Sequence, residues 1–262
     1  MNSNIILTGS SGYVGKATKE LLENNGYNVV EIDKKNGKDS RFLFIYVIGK
    51  KPKAIIHLSA KKSIAESKQK PFRYYLNNLL STLSVGIVSK IFSLPVVFAS
   101  SAAVYVPSNP YARSKVLEEK ILSLLCPSVA VLRYFNIVGK TSTVMDNGSS
   151  NLFSIIKQNS ILEINSITST RDYVHVLDIA RANILALEYL KDNKSLTTDI
   201  FTGYQKTLID VLVEYKKHGY NIEYKVLGTD DISIIYNLDN RGVLGWKPEY
   251  TFEQAIKSEI VY

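Results

Sequence analysis

The sequence is poor in the residues that staple a chain or anchor it in a membrane. Of its 262 residues one is a cysteine, Cys126. No internal disulfide can form, and a cytoplasmic setting is expected. No apolar run reaches the roughly 18–20 residues of a membrane span. The opening stretch, MNSNIILTGSSG, lacks a basic segment followed by a long apolar one, so no signal peptide is expected. There is no internal repeat, no low-complexity tract and no linker that divides the chain. These absences exclude a disulfide scaffold, a collagen and a disordered tail protein. What is present is ordinary globular material, 45% hydrophobic and 21% charged. Such a length makes one large domain or two small ones and buries roughly 70–75% of its unfolded surface without disulfide or metal. The net charge is +8, from 32 basic against 24 acidic residues. The lysines are scattered, with only short clusters such as Lys34-Lys35 and Lys50-Lys51. That pattern reads as a solvated surface, not as a stripe for nucleic acid.

Short apolar runs alternate with longer helical patterns. Strands are expected at Asn4–Thr8, Asn28–Ile32, Ala54–Leu58, Val96–Ser100 and Val129–Phe135. Helices are expected at Tyr13–Asn25, Asn77–Phe92, Tyr111–Leu125 and Val176–Leu190. In the third of these helices Lys115, Glu118, Glu119 and Lys120 read as the polar side. β-Branched strands alternating with helices predict a doubly wound parallel sheet with helices on both faces. Ser142–Ser150 is the clearest loop.

Thr8-Gly9-Ser10-Ser11-Gly12-Tyr13-Val14-Gly15 spells T-G-x-x-G-x-x-G between the first strand and the first helix. Gly9 permits the tight turn, Gly12 lets a pyrophosphate approach the helix N-terminus, and Gly15 lets helix and strand pack closely. Asp33 ends the second strand. An acid there accepts from both ribose hydroxyls and repels a 2′-phosphate, which favours NAD over NADP. Asp39 is placed to cap the adenine amino group.

Ser100-Ser101 closes the fourth strand, at the end of a parallel sheet that faces a ligand crevice. Tyr111 and Lys115 stand four residues apart on one helix face. An ammonium near a phenol favours the phenolate, which gives a tyrosine able to take a proton from a hydroxyl near neutral pH. Ser101 is placed to bond the same oxygen.

These residues resemble the extended short-chain dehydrogenase/reductases, and within them the UDP-galactose 4-epimerase family. The motifs are TGxxGxxG, Asp33, SSAAVY and YxxxK. Longer stretches agree: Ile55–Asn78, Val131–Gly139, Ser169–Ala180, Leu244–Pro248 and Thr251–Ile256. The resemblance implies a Rossmann-type α/β fold with a smaller α/β C-terminal lobe for substrate. Residues 1–135 with 172–203 would form the NAD lobe, and 136–171 with 204–262 the UDP-sugar lobe. It implies NAD as cofactor, held by Gly9, Gly12, Tyr13, Val14, Gly15, Asp33, Asp39, Lys62, Asn77 and Lys115. Catalysis would fall to Ser101, Tyr111 and Lys115. The UDP-sugar would meet Lys62, Ser101, Tyr111, Asn136, Asn151, Arg171 and Asp231. The reaction implied is interconversion of UDP-hexoses at C4 through a 4-keto intermediate, with no metal, no nucleic acid and no membrane, in a homodimer built on the second and third helices. His175 reads as a packing residue, and Tyr173 and Trp246 as core.

The chain departs from that family in three places. The segment between Asp33 and Ile55 is compressed, so a sheet-flanking helix there is expected to shrink. Val106–Asn109 is four residues where relatives have a longer loop over the site. Gly228-Thr229-Asp230-Asp231 stands where relatives carry Arg-x-Gly-Asp, so the diphosphate-gripping arginine is missing. A reductase of nucleotide 4-keto-sugars is the alternative reading. A 4,6-dehydratase would need an acid/base pair where this chain has Ala102-Ala103. A cofactor-binding protein without catalysis is opposed by the intact Ser101, Tyr111 and Lys115.

Overall fold

The computed structural model describes residues 3–146, 153, 155–156, 161–164, 166–167, 169–192, 195–228 and 244–261. Its main sheet is six-stranded and wholly parallel. In chain order its strands are β1 (Asn4–Thr8), β2 (Asn28–Ile32), β3 (Ala54–His57), β4 (Val96–Ser101), β5 (Val129–Tyr134) and, after three others, β9 (Leu196–Ile200). In space they run β2-β1-β3-β4-β5-β9. The order reverses at β1, between β2 and β3, so their carboxyl ends open on the crevice where such sheets bind ligands.

Alternation along the strands explains the two covered faces. Ile5 and Leu7 of β1 join Ile56, Val97, Ala130 and Leu132 in one apolar cluster, closed by Leu22, Ile179, Ala182 and Ala186. Ile6 joins Ile55, Val96, Phe98, Val129 and Val131 in the other, closed by Leu43, Val47, Val85, Val88 and Leu122. The first face is covered by α1 (Tyr13–Asn24) and α6 (Val176–Tyr189). The second is covered by α2 (Leu43–Val47), α4 (Pro71–Phe92) and α5 (Pro110–Leu125). Each fully buried Ile or Leu contributes about 1.5–3 kcal/mol, so a strand of such residues holds only between two helical layers.

Three differences from the sequence reading have physical causes. Helix α4 starts at Pro71, six residues before the expected Asn77, because a proline at the first turn is compatible with a helix start. A further short helix, α3 (Ile64–Gln69), precedes it, capped by the Ser63 hydroxyl on the Glu66 N–H. Lys115 and Glu118, read as polar-side residues, are buried, for a reason given with the site. The compressed stretch after Asp33 holds two single 3₁₀ turns and the five-residue α2, as the short spacing requires.

Beyond β5 two small sheets form. Strand β6 (Asn136–Val138) pairs with β8 (Thr170–His175), which pairs with β10 (Gln205–Thr207). Strand β7 (Ile161–Ile164) pairs with β11 (Glu223–Val226). Helices α7 (Leu208–Lys217) and α8 (Phe252–Val261) share their core, with Phe153 stacked on Tyr215 and edge-on to Tyr173. Tyr173 is core as expected. His175 packs too: its ring caps α6 at the Leu177 N–H and stacks on Tyr250 at 3.8 Å. Trp246 is part-buried and donates to the Asp178 carbonyl.

Candidate active site

The glycine motif forms the turn from β1 into α1. Gly9 has φ +74, and a Cβ there would lie 2.9 Å from the Leu58–Ser59 backbone. At Gly15 a Cβ would lie 2.0 Å from the Gly9 carbonyl oxygen, so this glycine is what lets helix and turn touch. At Gly12 the nearest atom to such a Cβ is that same oxygen, at 3.1 Å, and no other heavy atom lies within 4 Å. The open side of Gly12 faces the first turn of α1, whose N–H groups have no partner within the helix. This is a cradle with the shape and polarity for a pyrophosphate. Tyr13 and Val14 supply backbone to it. The Tyr13 side chain turns away, donating its hydroxyl to the Gly139 carbonyl.

Asp33 stands beside the cradle. One carboxylate oxygen accepts from the Ser11 N–H at 3.1 Å, the other from the Lys35 N–H at 2.9 Å. Asp39 caps the next turn and pairs with Arg41 at 2.6 Å and Lys34 at 3.6 Å. Burial pushes its carboxyl up, but the Arg41 guanidinium and N–H outweigh burial and hold it below the usual carboxylate range. Lys34 also donates to the Asn77 amide oxygen, so Asp33, Asp39 and Asn77 meet at one end of the crevice. Lys62, mostly exposed, pairs with Asp146 at 2.8 Å over the Tyr13 ring. These donors, acceptors and glycines fit a dinucleotide.

At the other end, Ser101, Tyr111, Asn136 and Arg171 line one cavity of about 290 Å³, with Ile64, Lys68, Ser108 and Asn109. The Ser101 hydroxyl accepts from the Ala103 N–H, which sets the strand end. Asn109 caps α5 through the Ala112 N–H, and Pro110 follows at the first turn, so Tyr111 is fixed in the opening turn. Asn136 donates to the Asp172 carbonyl, and Arg171 to the Thr170 carbonyl. The Asp172 carboxylate accepts from Thr202 and Gly203, tying β8 to the chain after β9. Asn151 and Asp231 lie outside the described residues. No cluster of metal-ligating side chains occurs among those described.

Lys115 sits behind this wall with 3% of its surface exposed. Its Nζ donates to the Ala99 carbonyl at 2.9 Å and to Glu118 at 3.1 Å, and lies over the Phe98 ring. Glu118, fully buried, also accepts from the Ser114 and Thr82 hydroxyls. Thr82 meets His57, which meets Thr8 at 2.7 Å. Burial, aided by the Lys115 charge, holds His57 down at about 3, so the ring is neutral. Sequence reasoning missed Glu118, Thr82 and His57. The adjacent Glu118 and Glu119 look alike in sequence, yet Glu119 turns to Arg133 while Glu118 turns inward to the lysine. The only signal was the i, i+3 spacing of Lys115 and Glu118 on one helix.

Comparison with known proteins agrees with this geometry. The UDP-glucose 4-epimerase of Rhizobium leguminosarum bv. trifolii is 29% identical over 313 aligned positions, spanning 97% of this chain and 95% of the relative. That of Haemophilus influenzae is 27% identical over 97% and 95%. The alignments are longer than the chain, as its compressed loops require. Among solved structures, UDP-glucose 4-epimerase from Brucella ovis in complex with NAD superposes with a TM-score of 0.90 at 24% identity, over 98% of this chain and 97% of that one. The Bifidobacterium longum enzyme in complex with NAD+ and UDP gives 0.87 at 25%, over the same shares. The sequence pattern of one family runs from Ile5 to Thr198, through the cradle, Asp33, Ser101, Tyr111 and Lys115. The chain belongs to the NAD dependent epimerase/dehydratase family.

Proposed function

We propose that the protein is an NAD-dependent epimerase that inverts C4 of a UDP-hexose of the UDP-galactose/UDP-glucose type. The observation that carries this reading is the single cavity shared by Ser101, Tyr111, Asn136 and Arg171, next to a dinucleotide cradle. The relatives named UDP-glucose 4-epimerase support it. Gly9, Gly12 and Gly15 would hold the NAD pyrophosphate at the α1 N-terminus. Asp33 would hold the adenosine ribose and Asp39 the adenine, with Asn77 beside Asp39 on the cofactor and Lys62 and Lys115 toward the nicotinamide. When bound, NAD supplies a hydride acceptor that returns the hydride within the same turnover.

The chain's own residues move the proton and hold the sugar. Tyr111 takes the proton of the C4 hydroxyl and later gives it back. Ser101 hydrogen-bonds the same oxygen. Lys115 carries the positive charge that favours a phenolate. Arg171, with a planar fork of donors, grips the diphosphate, and Asn136, Asn151 and Asp231 complete the nucleotide side. Binding at this remote, non-reacting end positions the sugar while leaving it able to turn over as a 4-ketose. We also propose a homodimer, supported by an exposed apolar stripe on α4, and a cytoplasmic location. No helix among the described residues is long and apolar enough to cross a membrane.

The test is a proton NMR time course of UDP-galactose with purified protein and no added cofactor. Conversion to a mixture with UDP-glucose, lost by about 10²–10⁴-fold in Tyr111→Phe, is the expected result. No conversion, with reduction of a nucleotide 4-keto-sugar by NADH or NADPH instead, overturns it in favour of a reductase.

A further inference from the structure

The family pattern accounts for Tyr111 and Lys115, but not for the carboxylate that lies against the lysine. Glu118 has no exposed surface, and its Oε2 accepts from Lys115 Nζ at 3.1 Å and from Thr82 Oγ1 at 3.2 Å. The Ser114 hydroxyl lies 3.2 Å from its Oε1 and shares its one proton with the Tyr111 carbonyl at 2.8 Å. The network extends further. Thr8 accepts from the Ser59 N–H and meets His57 Nδ1 at 2.7 Å. His57 Nε2 faces Thr82 at 3.3 Å, and Thr82 donates to Glu118. A chain of polar side chains thus runs from β1 through β3 and α4 to the carboxylate on α5.

We propose that Glu118 is a positioning residue that keeps Lys115 an ammonium, and aims it, inside a site where burial alone favours the neutral amine. The inference rests on the reading of Tyr111 and Lys115 as the catalytic pair. Its physical content is a choice between two states with the same number of protons. When the Tyr111–Lys115 pair loses one proton, either the phenol or the ammonium gives it up. Only phenolate with ammonium can accept a proton from the sugar hydroxyl. Desolvation favours phenol with amine, because that state has no charge. A carboxylate at 3.1 Å from Nζ favours the charged lysine, and so makes tyrosine the group that titrates. The groups packed round the ammonium are Glu118 from α5, His57 from β3, Thr82 from α4, and the Ala99 carbonyl and Phe98 ring from β4. His57 is neutral, and the last three do not ionise, so Glu118 is the anion that decides.

The test compares cofactor-loaded wild type, Glu118→Gln, Glu118→Asp and Tyr111→Phe. Tyr111 ionisation is read as tyrosinate absorbance, each protein against its Tyr111→Phe counterpart, across pH. Glu118→Gln keeps the size and polar contacts but removes the charge. Its tyrosinate signal is expected to develop about one pH unit higher than in wild type, because the lysine now sheds its proton first. On UDP-galactose its kcat is expected to fall about tenfold or more, with KM within twofold, since Asn136 and Arg171 are untouched. Glu118→Asp keeps the charge and is expected to recover the wild-type titration. A folded Glu118→Gln that titrates and turns over as wild type overturns the proposal. Should Glu118→Gln not fold, Glu118→Asp decides, because retained charge with a displaced titration contradicts the charge argument. The titration needs no substrate, so it stands if UDP-galactose is inert. A Tyr111→Phe protein with full activity would instead sink the reading of the pair itself.

Discussion

The Tyr13 hydroxyl donates to the Gly139 carbonyl across 126 residues of chain. Tyr13 opens α1 at the phosphate cradle, and Gly139 closes the turn after β6, on the substrate side. Burial, with the charges of Glu259 and Asp146, keeps the phenol well above its ordinary pKa, so it remains a donor. The Gly139 N–H in turn donates to Glu259 of α8 at 2.8 Å. One turn therefore joins cradle, substrate side and C-terminal helix. Tyr13→Phe strands a buried carbonyl and is expected to cost about 1–3 kcal/mol. Urea unfolding checks this, and an unchanged midpoint would show that the carbonyl finds another donor.

The two later glycines of the motif serve different ends, and substitution separates them. A Cβ at Gly15 would overlap the Gly9 carbonyl at 2.0 Å. Gly15→Ala should force α1 off the sheet and lower stability by several kcal/mol, in the manner of overpacking. Gly12→Ala meets one atom at 3.1 Å. It should fold nearly as wild type yet lose NAD affinity at least tenfold, because the methyl occupies the approach to the helix N-terminus. Paired thermal melts and NAD titrations distinguish the two. Equal damage to fold by both would refute the division.

How much of this was legible beforehand follows from the range of the interactions. The cradle, Asp33 and the Tyr111–Lys115 pair are local patterns, with spacing set by one turn or one strand, and the structure brings them to one crevice. The α4 start at Pro71 escaped because a proline reads equally as a break or a first turn. The Glu118 network escaped because it is not local: it joins β1, β3, α4 and α5, and only the sheet order makes Thr8 and His57 neighbours. Burial is a property of packing, so a Lys-x-x-Glu pair on a helix looks solvated until the neighbouring helix is placed over it.

The buried histidines give the acid response a sign. Burial, with Lys115, holds His57 at about 3, and burial, with Arg181, holds His175 at about 4. Both lie below the ordinary value of about 6.5. Between those limits the unfolded chain binds more protons than the folded one, so stability falls as pH falls. Burial raises the carboxyls of Asp178 and Asp199, which oppose the trend where they titrate above the ordinary aspartate range. Unfolding free energy is therefore expected to be full above about pH 6.5 and to decline below it, by up to about 1.4 kcal/mol per pH unit for each histidine. His57→Gln should remove about one proton from that slope. Urea titrations at a series of pH values measure it, and a slope unaltered by the substitution would place the protons elsewhere.

The proposed dimer rests on a surface that the fold leaves uncovered. Leu76, Leu80, Leu83, Ile87 and Ile91 of α4 repeat at intervals of three and four residues, and each is 40–58% exposed. Leu117 and Leu124 of α5 are exposed as well, while Val85 and Val88 of α4 and Leu122 of α5 face the sheet. Two adjacent helices with apolar residues on both sides have more hydrophobic surface than one sheet can bury. Scattered leucines on a surface are ordinary, but a continuous stripe along a 22-residue helix is the mark of a partner. The contacting copy would present the same stripe, since a two-fold interface uses one patch twice. Leu80→Glu with Leu83→Glu places like charges at its centre and should yield a folded monomer with a wild-type circular dichroism spectrum. Sedimentation analysis checks both halves: a wild type that sediments as a monomer at micromolar concentration, or a double variant that still dimerises, would mean that this stripe is not the interface.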